Sequence, residues 1–247
     1  MKIMISPAKR MVEELDFLPP EGLPRLIDRA EELRDQVAAL SLSQLKKLLG
    51  CNDQIALLNY ERYAHMDLRG RLTPAVLAYQ GIQYQYMAPK LFTYEQYGWL
   101  RSHLRILSGL YGVLRPFDGV TPYRLEMGAR HRPWGQGGLY TFWGDSLARI
   151  LAEEDDTVVD LASKEYSRAV LPCLPPGIRV VSCRFGQWDG EKLREKGTRC
   201  KMARGEMVRW LAEQGADRPE AMMEFDRLEY HFRPELSRED ELVFVCP

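Results

Sequence analysis

Cationic side chains set beside glycine and proline turns are the groups in this chain best suited to do chemistry. Lys9 follows Pro7-Ala8, Arg115 precedes Pro116, Arg124 follows Pro122-Tyr123, and Lys201 and Arg204 stand just before Gly205. An arginine fork matches two phosphate oxygens at once, and a lysine adds a point charge. The stretch Leu107-Ser108-Gly109-Leu110-Tyr111-Gly112-Val113-Leu114-Arg115 supplies two glycines, where backbone N–H groups can approach an anion with no Cβ in the way. The Ser108 and Tyr111 hydroxyls accompany them. A helix, a tight turn holding Gly109 and Gly112, and a second helical turn leading to Arg115 look like a helix-hairpin-helix element over residues 94–116. Such an element grips phosphates rather than base edges. Singly, each cation fits a solvated surface, and a G-x-x-G turn can merely join two packed helices. Their shared setting points to one anion-binding cleft.

Glu126 lies two residues after Arg124, and Glu165 follows Lys164. A carboxylate facing phosphates is repelled. Each glutamate therefore either orients a neighbouring cation as a structural ion pair or moves protons as a general acid or base. With Lys9 they are the catalytic candidates of an alternative function, an enzyme acting on a nucleotide or nucleic-acid base, with Lys9, Arg115 and Arg124 on its phosphate.

The net charge is -1, which argues against strong non-specific nucleic-acid binding. The charges are nevertheless segregated. Arg101 to Arg132 holds six arginines against two acids, and Arg179 to Arg209 nine basic residues against four acids. Glu13 to Asp35 and Asp217 to Glu241 compensate with eight acids against three arginines and nine against four. Five scattered cysteines without a C-x-x-C pair, and four histidines without i, i+4 spacing, predict neither a metal site nor a disulfide framework. No cofactor is expected. The first residues break their apolar run at Ser6-Pro7, short of the about 7 to 15 residues of a signal-peptide core. No stretch reaches the about 18 uncharged apolar residues of a membrane span. A cytoplasmic location is the expectation.

These groups must be held by a scaffold. Strands are predicted at Lys2 to Ile5, Thr157 to Leu161, Ile178 to Phe185 and Leu242 to Cys246. Periodicity and caps predict helices at Pro24 to Leu40, from Ser41 or Ser43 to Gly50, at Asp53 to Met66, from Thr93 to about Leu107, at Leu139 to Glu153 and at Met202 to Gln214. Asp189-Gly190 signals a hairpin. Alternating elements without a repeat period or linker predict one mixed α/β (α+β) domain over 1–247.

Five segments carry a family resemblance: Ile5 to Lys9, Leu107 to Pro116, Pro122 to Gly128, Leu161 to Tyr166 and Lys201 to Gly205. In that order, and over essentially the whole chain, they resemble the YaaA family of peroxide-stress proteins. The resemblance implies a positively charged cleft that binds duplex or distorted DNA with little sequence preference and limits oxidative damage from free iron. The expected phosphate-binding set is Lys9, Ser108, Gly109, Tyr111, Gly112, Arg115, Arg124, Lys201 and Arg204, with a nucleotide as the alternative ligand. Met202 stands where the family usually has a second lysine. The missing charge predicts modest, salt-sensitive binding.

Overall fold

The apolar run at the amino terminus becomes an interior strand of the main sheet. A computed structural model describes residues 1–131 and 134–247, so Arg132 of the basic stretch lies outside the described residues. The strands are β1 (Lys2–Ile5), β2 (Arg10–Met11), β3 (Thr73–Pro74), β4 (Tyr79–Gln80), β5 (Leu104–Ser108), β6 (Gly112–Leu114), β7 (Gly119–Val120), β8 (Thr157–Leu161), β9 (Arg179–Asp189), β10 (Lys192–Arg194), β11 (His231–Phe232) and β12 (Glu241–Cys246). The α-helices are α1 (Ile27–Ala38), α2 (Leu42–Leu49), α3 (Asp53–His65), α4 (Ala75–Ala78), α5 (Ile82–Met87), α6 (Tyr94–His103), α7 (Leu139–Trp143), α8 (Ser146–Glu154), α9 (Lys164–Ser167) and α10 (Gly197–Gln214).

The main sheet runs β11-β12-β9-β8-β1-β5-β6, with β10 paired to β9. β12, β9, β8, β1 and β5 are mutually parallel neighbours, and β6, β10 and β11 add antiparallel edges. Numbered along the chain, the five parallel strands stand in the doubly wound order 2-1-3-4-5. A parallel sheet needs cover on both faces, and Ile3, Met4, Ile5, Val158, Val159 and Leu161 are accordingly fully buried in one continuous core. The expected α/β class stands.

Local signals set the helix ends. Ser41 with Gln44 and Thr93 with Gln96 form capping boxes, and Gly50 and Gly215 end α2 and α10 in left-handed conformation. Among the described residues no helix is long and apolar enough to cross a membrane.

The helix-hairpin-helix expectation over 94–116 does not hold. α6 stops at His103, and residues 104–114 form a β-hairpin in which Ile106 pairs Leu114 and Ser108 pairs Gly112. Leu104 and Ile106 continue the apolar pattern of α6, but they lie in register with Ile3 and Ile5 of β1. A helix there would leave the backbone groups of β1 unpaired in the core. Consecutive helices on a tight glycine turn occur instead at α2-Gly50-Cys51-Asn52-α3, where Asn52 caps α3. Two smaller differences concern helix bounds. The Leu139 to Glu153 helix is broken after Gly144 (φ 55°), and α10 begins at Gly197 rather than Met202.

Gly205 fixes how α10 meets α5. A Cβ at this position would overlap the Gln83 carbonyl oxygen and sit 2.9 Å from its carbon and 3.0 Å from the Met87 nitrogen. All three are backbone atoms, which cannot rotate away. Gly205→Ala is expected to destabilise the protein by about 2 kcal/mol through overpacking, measured as a lowered thermal unfolding midpoint.

Candidate functional site

In a doubly wound sheet the chain leaves its first strand for opposite sides, and the crevice opens at the carboxyl ends of the strands where the order reverses. Here that point lies between β1 and β8. Ser6 follows β1 and Ser163 follows β8, and the Ser163 N–H donates to Ser6 Oγ (2.8 Å), so the two strand ends are tied together. A cavity of about 380 Å³ opens over them. Its walls come from residues 6–10, 80–84, 123–126 and 163–166 and from Lys201 and Arg204 of α10.

Five cations line this cavity: Lys9, Arg10, Arg124, Lys201 and Arg204, against Glu126 and Glu165. The last two α10 residues of that set are three apart and so share a helix face. Glu126 accepts from Arg124 Nη2 (2.9 Å) and Nε (3.1 Å), and Lys9 Nζ lies 3.1 Å from it. Glu126 thus orients both cations at the rim. Glu165 Oε1 accepts from the Gly128 N–H at 2.8 Å, pinning the loop that carries Arg124 to α9. Asp160 lies deeper. Burial raises its carboxyl above the usual carboxylate range, opposed by hydrogen bonds from Ser167 and Ala162 and by the Arg204 charge.

Below the rim the site rests on hydroxyls. The Tyr123 hydroxyl lies 2.9 Å from that of Tyr79 and 2.6 Å from Ser108 Oγ, and Ser108 Oγ accepts from the Tyr111 N–H (2.8 Å). Burial pushes the Tyr123 phenol up to about 12 and the Tyr84, Tyr111 and Tyr166 phenols up as well. All four stay protonated at neutral pH and supply polar but uncharged support.

The structure brings Lys9, Arg124, Lys201, Arg204, Glu126 and Glu165 together and separates the others from them. Ser108 and Tyr111 are fully buried. Gly109 faces protein, not solvent: a Cβ there would overlap the Leu125 carbonyl oxygen and lie 3.0 Å from its carbon. Gly112 (φ 78°) is packed against Leu147, Leu26 and Trp143. Ser108, Gly109 and Tyr111 form the floor beneath the Tyr123–Glu126 segment, and Gly112 packs on the α7–α8 side. Arg115 lies at the other end of the sheet, beside Lys2 at the start of β1, in a second depression with Arg101, Arg105, Asp118 and Glu154. Its N–H donates to Asp118 (2.8 Å), whose carboxyl burial pushes up to about 6, and its guanidinium stands 4.0 Å from Glu154.

The segment Gln80-Gly81-Ile82-Gln83-Tyr84 is a wall that the sequence motifs did not include. Its signal was available: two amides flank a glycine inside an otherwise apolar stretch, and that glycine approaches the β1 loop so closely that a Cβ would stand 3.0 Å from Ala8 Cβ.

A family model described as peroxide stress protein YaaA matches residues 1–236. The chain is 48% identical over 245 residues to a UPF0246 protein of Lachnoclostridium phytofermentans, covering 99% of this chain and 96% of the relative. It is 49% identical to a UPF0246 protein of Desulfitobacterium hafniense (99% and 98% covered) and 47% identical to one of Agathobacter rectalis (99% and 98%). The chain belongs to the peroxide stress protein YaaA family, also named UPF0246.

Proposed function

We propose that the protein binds DNA through its phosphate backbone as part of the peroxide stress response, using the cleft at the carboxyl ends of β1 and β8. One observation carries this: five cations from three separate segments line a single concave site in a chain whose net charge is -1. Such a site holds phosphates with little regard to sequence and releases condensed counterions as it binds. Iron ions are among the cations that a DNA backbone attracts, and a protein that displaces the counterion layer displaces them too. Occupied DNA would thereby be spared damage linked to free iron. Fluorescence anisotropy of a plain duplex across a salt series tests the proposal. With two of the five charges offset by Glu126 and Glu165, log K should fall against log salt with a slope of about -3. A slope near zero would defeat it.

A second function has one specific observation in its favour. Glu126 and Glu165 line the same cavity as the cations, as a general acid or base acting on a nucleotide or nucleic-acid base would require. Conversion of a nucleotide by the intact protein, lost in Glu126→Gln or Glu165→Gln with binding retained, would establish it.

A further inference from the structure

Phosphate binding leaves one wall of the cleft without a task. Gln83 on α5 lines the cavity and is 7% exposed. Its side-chain Nε2 is buried without a hydrogen-bond partner among the described residues. A buried donor left unpaired destabilises the free protein, and a ligand that supplies the acceptor removes that cost. Arg204 shows the same feature: it lines the cavity, and its Nε is buried and unpartnered among the described residues. The backbones that carry these two donors are held together, because Gly205 packs the helix turn of Arg204 against the Gln83 backbone.

The remaining lining suits a flat, partly apolar group. Ile82, Tyr84, Tyr123, Leu125 and Tyr166 face the cavity beside Gln83. Every nucleobase offers a π face to such a wall and polar atoms at its edge. The volume of about 380 Å³ falls in the small-ligand range of about 300 to 1,000 Å³. A single nucleotide is a ligand of that class.

We infer that the cleft takes a single nucleotide unit, with its phosphate on the cations Lys9, Arg124, Lys201 and Arg204 and an acceptor on the base edge meeting Gln83 Nε2. The inference rests on the cleft being a phosphate site and adds the base and the residue that reads it. Gln83 is thus a specificity residue. The same chemistry reaches the cleft from a free mononucleotide or from an unpaired nucleotide in DNA, and the two sources are separable by experiment.

Calorimetric titration of the whole protein and of Gln83→Leu decides the matter. The ligands are 2-deoxyribose 5-phosphate, the four deoxynucleoside monophosphates, a plain duplex, and that duplex with one unpaired nucleotide. At least one monophosphate should bind about tenfold tighter than the sugar phosphate, the worth of one well-made hydrogen bond plus base contact. Gln83→Leu should lose that tenfold and keep its affinity for the sugar phosphate and the plain duplex. Its unfolding temperature should rise, since an apolar side chain of similar shape replaces an unpaired donor, whereas a purely structural role would lower it. A preference of the native protein for the bulged duplex, lost in Gln83→Leu, would identify DNA as the source, and its absence alongside monophosphate binding would identify the free nucleotide.

Equal binding of sugar phosphate and every monophosphate, or a Gln83→Leu protein that matches the native one on all ligands, overturns the inference. If in that case the duplex still binds with its salt dependence, the phosphate site stands without a base. If nothing binds, the phosphate site itself falls and the inference with it. Should Gln83→Leu fail to fold, Gln83→Met makes the same comparison.

Discussion

Alanine at both Arg124 and Arg204 is expected to weaken duplex binding about 100-fold, because each removes a charge-assisted phosphate contact worth about 1.5 kcal/mol or more. Arg124 carries a second consequence. Its Nη2 and Nε hold Glu126 at 2.9 and 3.1 Å, so its loss leaves that carboxylate with Lys9 alone and ties up the Lys9 charge that would otherwise meet phosphate. The slope of log K against log salt should shrink by about 2, at about 0.9 per lost contact. Arg115→Ala is the matched control. Its side chain stands at the far end of β1, facing Glu154, and both affinity and slope should be unchanged. Anisotropy titrations of the three proteins measure all of this, and a large loss in Arg115→Ala would move the DNA site to the opposite end of the sheet.

Gly109→Ala should destabilise the protein by about 3 kcal/mol, the upper part of the range for overpacking a core. A Cβ at Gly109 would overlap the Leu125 carbonyl oxygen and stand 3.0 Å from the Leu125 carbon and 3.3 Å from the Glu126 carbon. None of these atoms can move unless the segment bearing Arg124 and Glu126 moves with it. The unfolding midpoint should drop by about 6 to 12 °C for a chain of this size, and DNA affinity should fall as Arg124 is displaced. Gly98→Ala, on α6 with nothing within 4 Å of the added Cβ, should instead be neutral or stabilising by about 0.5 kcal/mol. A fully stable Gly109→Ala protein that lost only DNA affinity would return Gly109 to the role of a direct anion contact.

Features governed by neighbours in sequence were legible before the fold was known. Thr93 with Gln96, Gly50 and Gly215 mark helix ends by local hydrogen bonding and backbone sterics, Ser41 takes the cap that the sequence offered to Ser41 or Ser43, and Asp189-Gly190 turns β9 into β10. The β1, β8 and β12 runs were equally clear from their apolar character. What pairs with β1 was not. Leu104 and Ile106 fit the period of α6 as well as a strand, and the edge of β1 settled the choice. The same physics explains the site. Lys9, Arg124, Lys201 and Arg204 stood out by residue type and turn context, and their segments meet over β1 and β8. Ser108, Gly109, Tyr111 and Gly112 belong to an equally specific motif, but the features that suit a glycine turn to an anion also suit it to close packing under a loop. Gln83 carried only the weak mark of an amide near Gly81, because its position against the cleft comes from a glycine on a distant helix.

A crystal structure of the protein bound to a short duplex containing one unpaired nucleotide locates the phosphates directly. The DNA should lie across the carboxyl ends of β1 and β8, with a phosphate within hydrogen-bond distance of Arg124 and Arg204. A duplex seated on the Lys2, Arg105 and Arg115 end of the sheet, with the cleft untouched, would contradict the account.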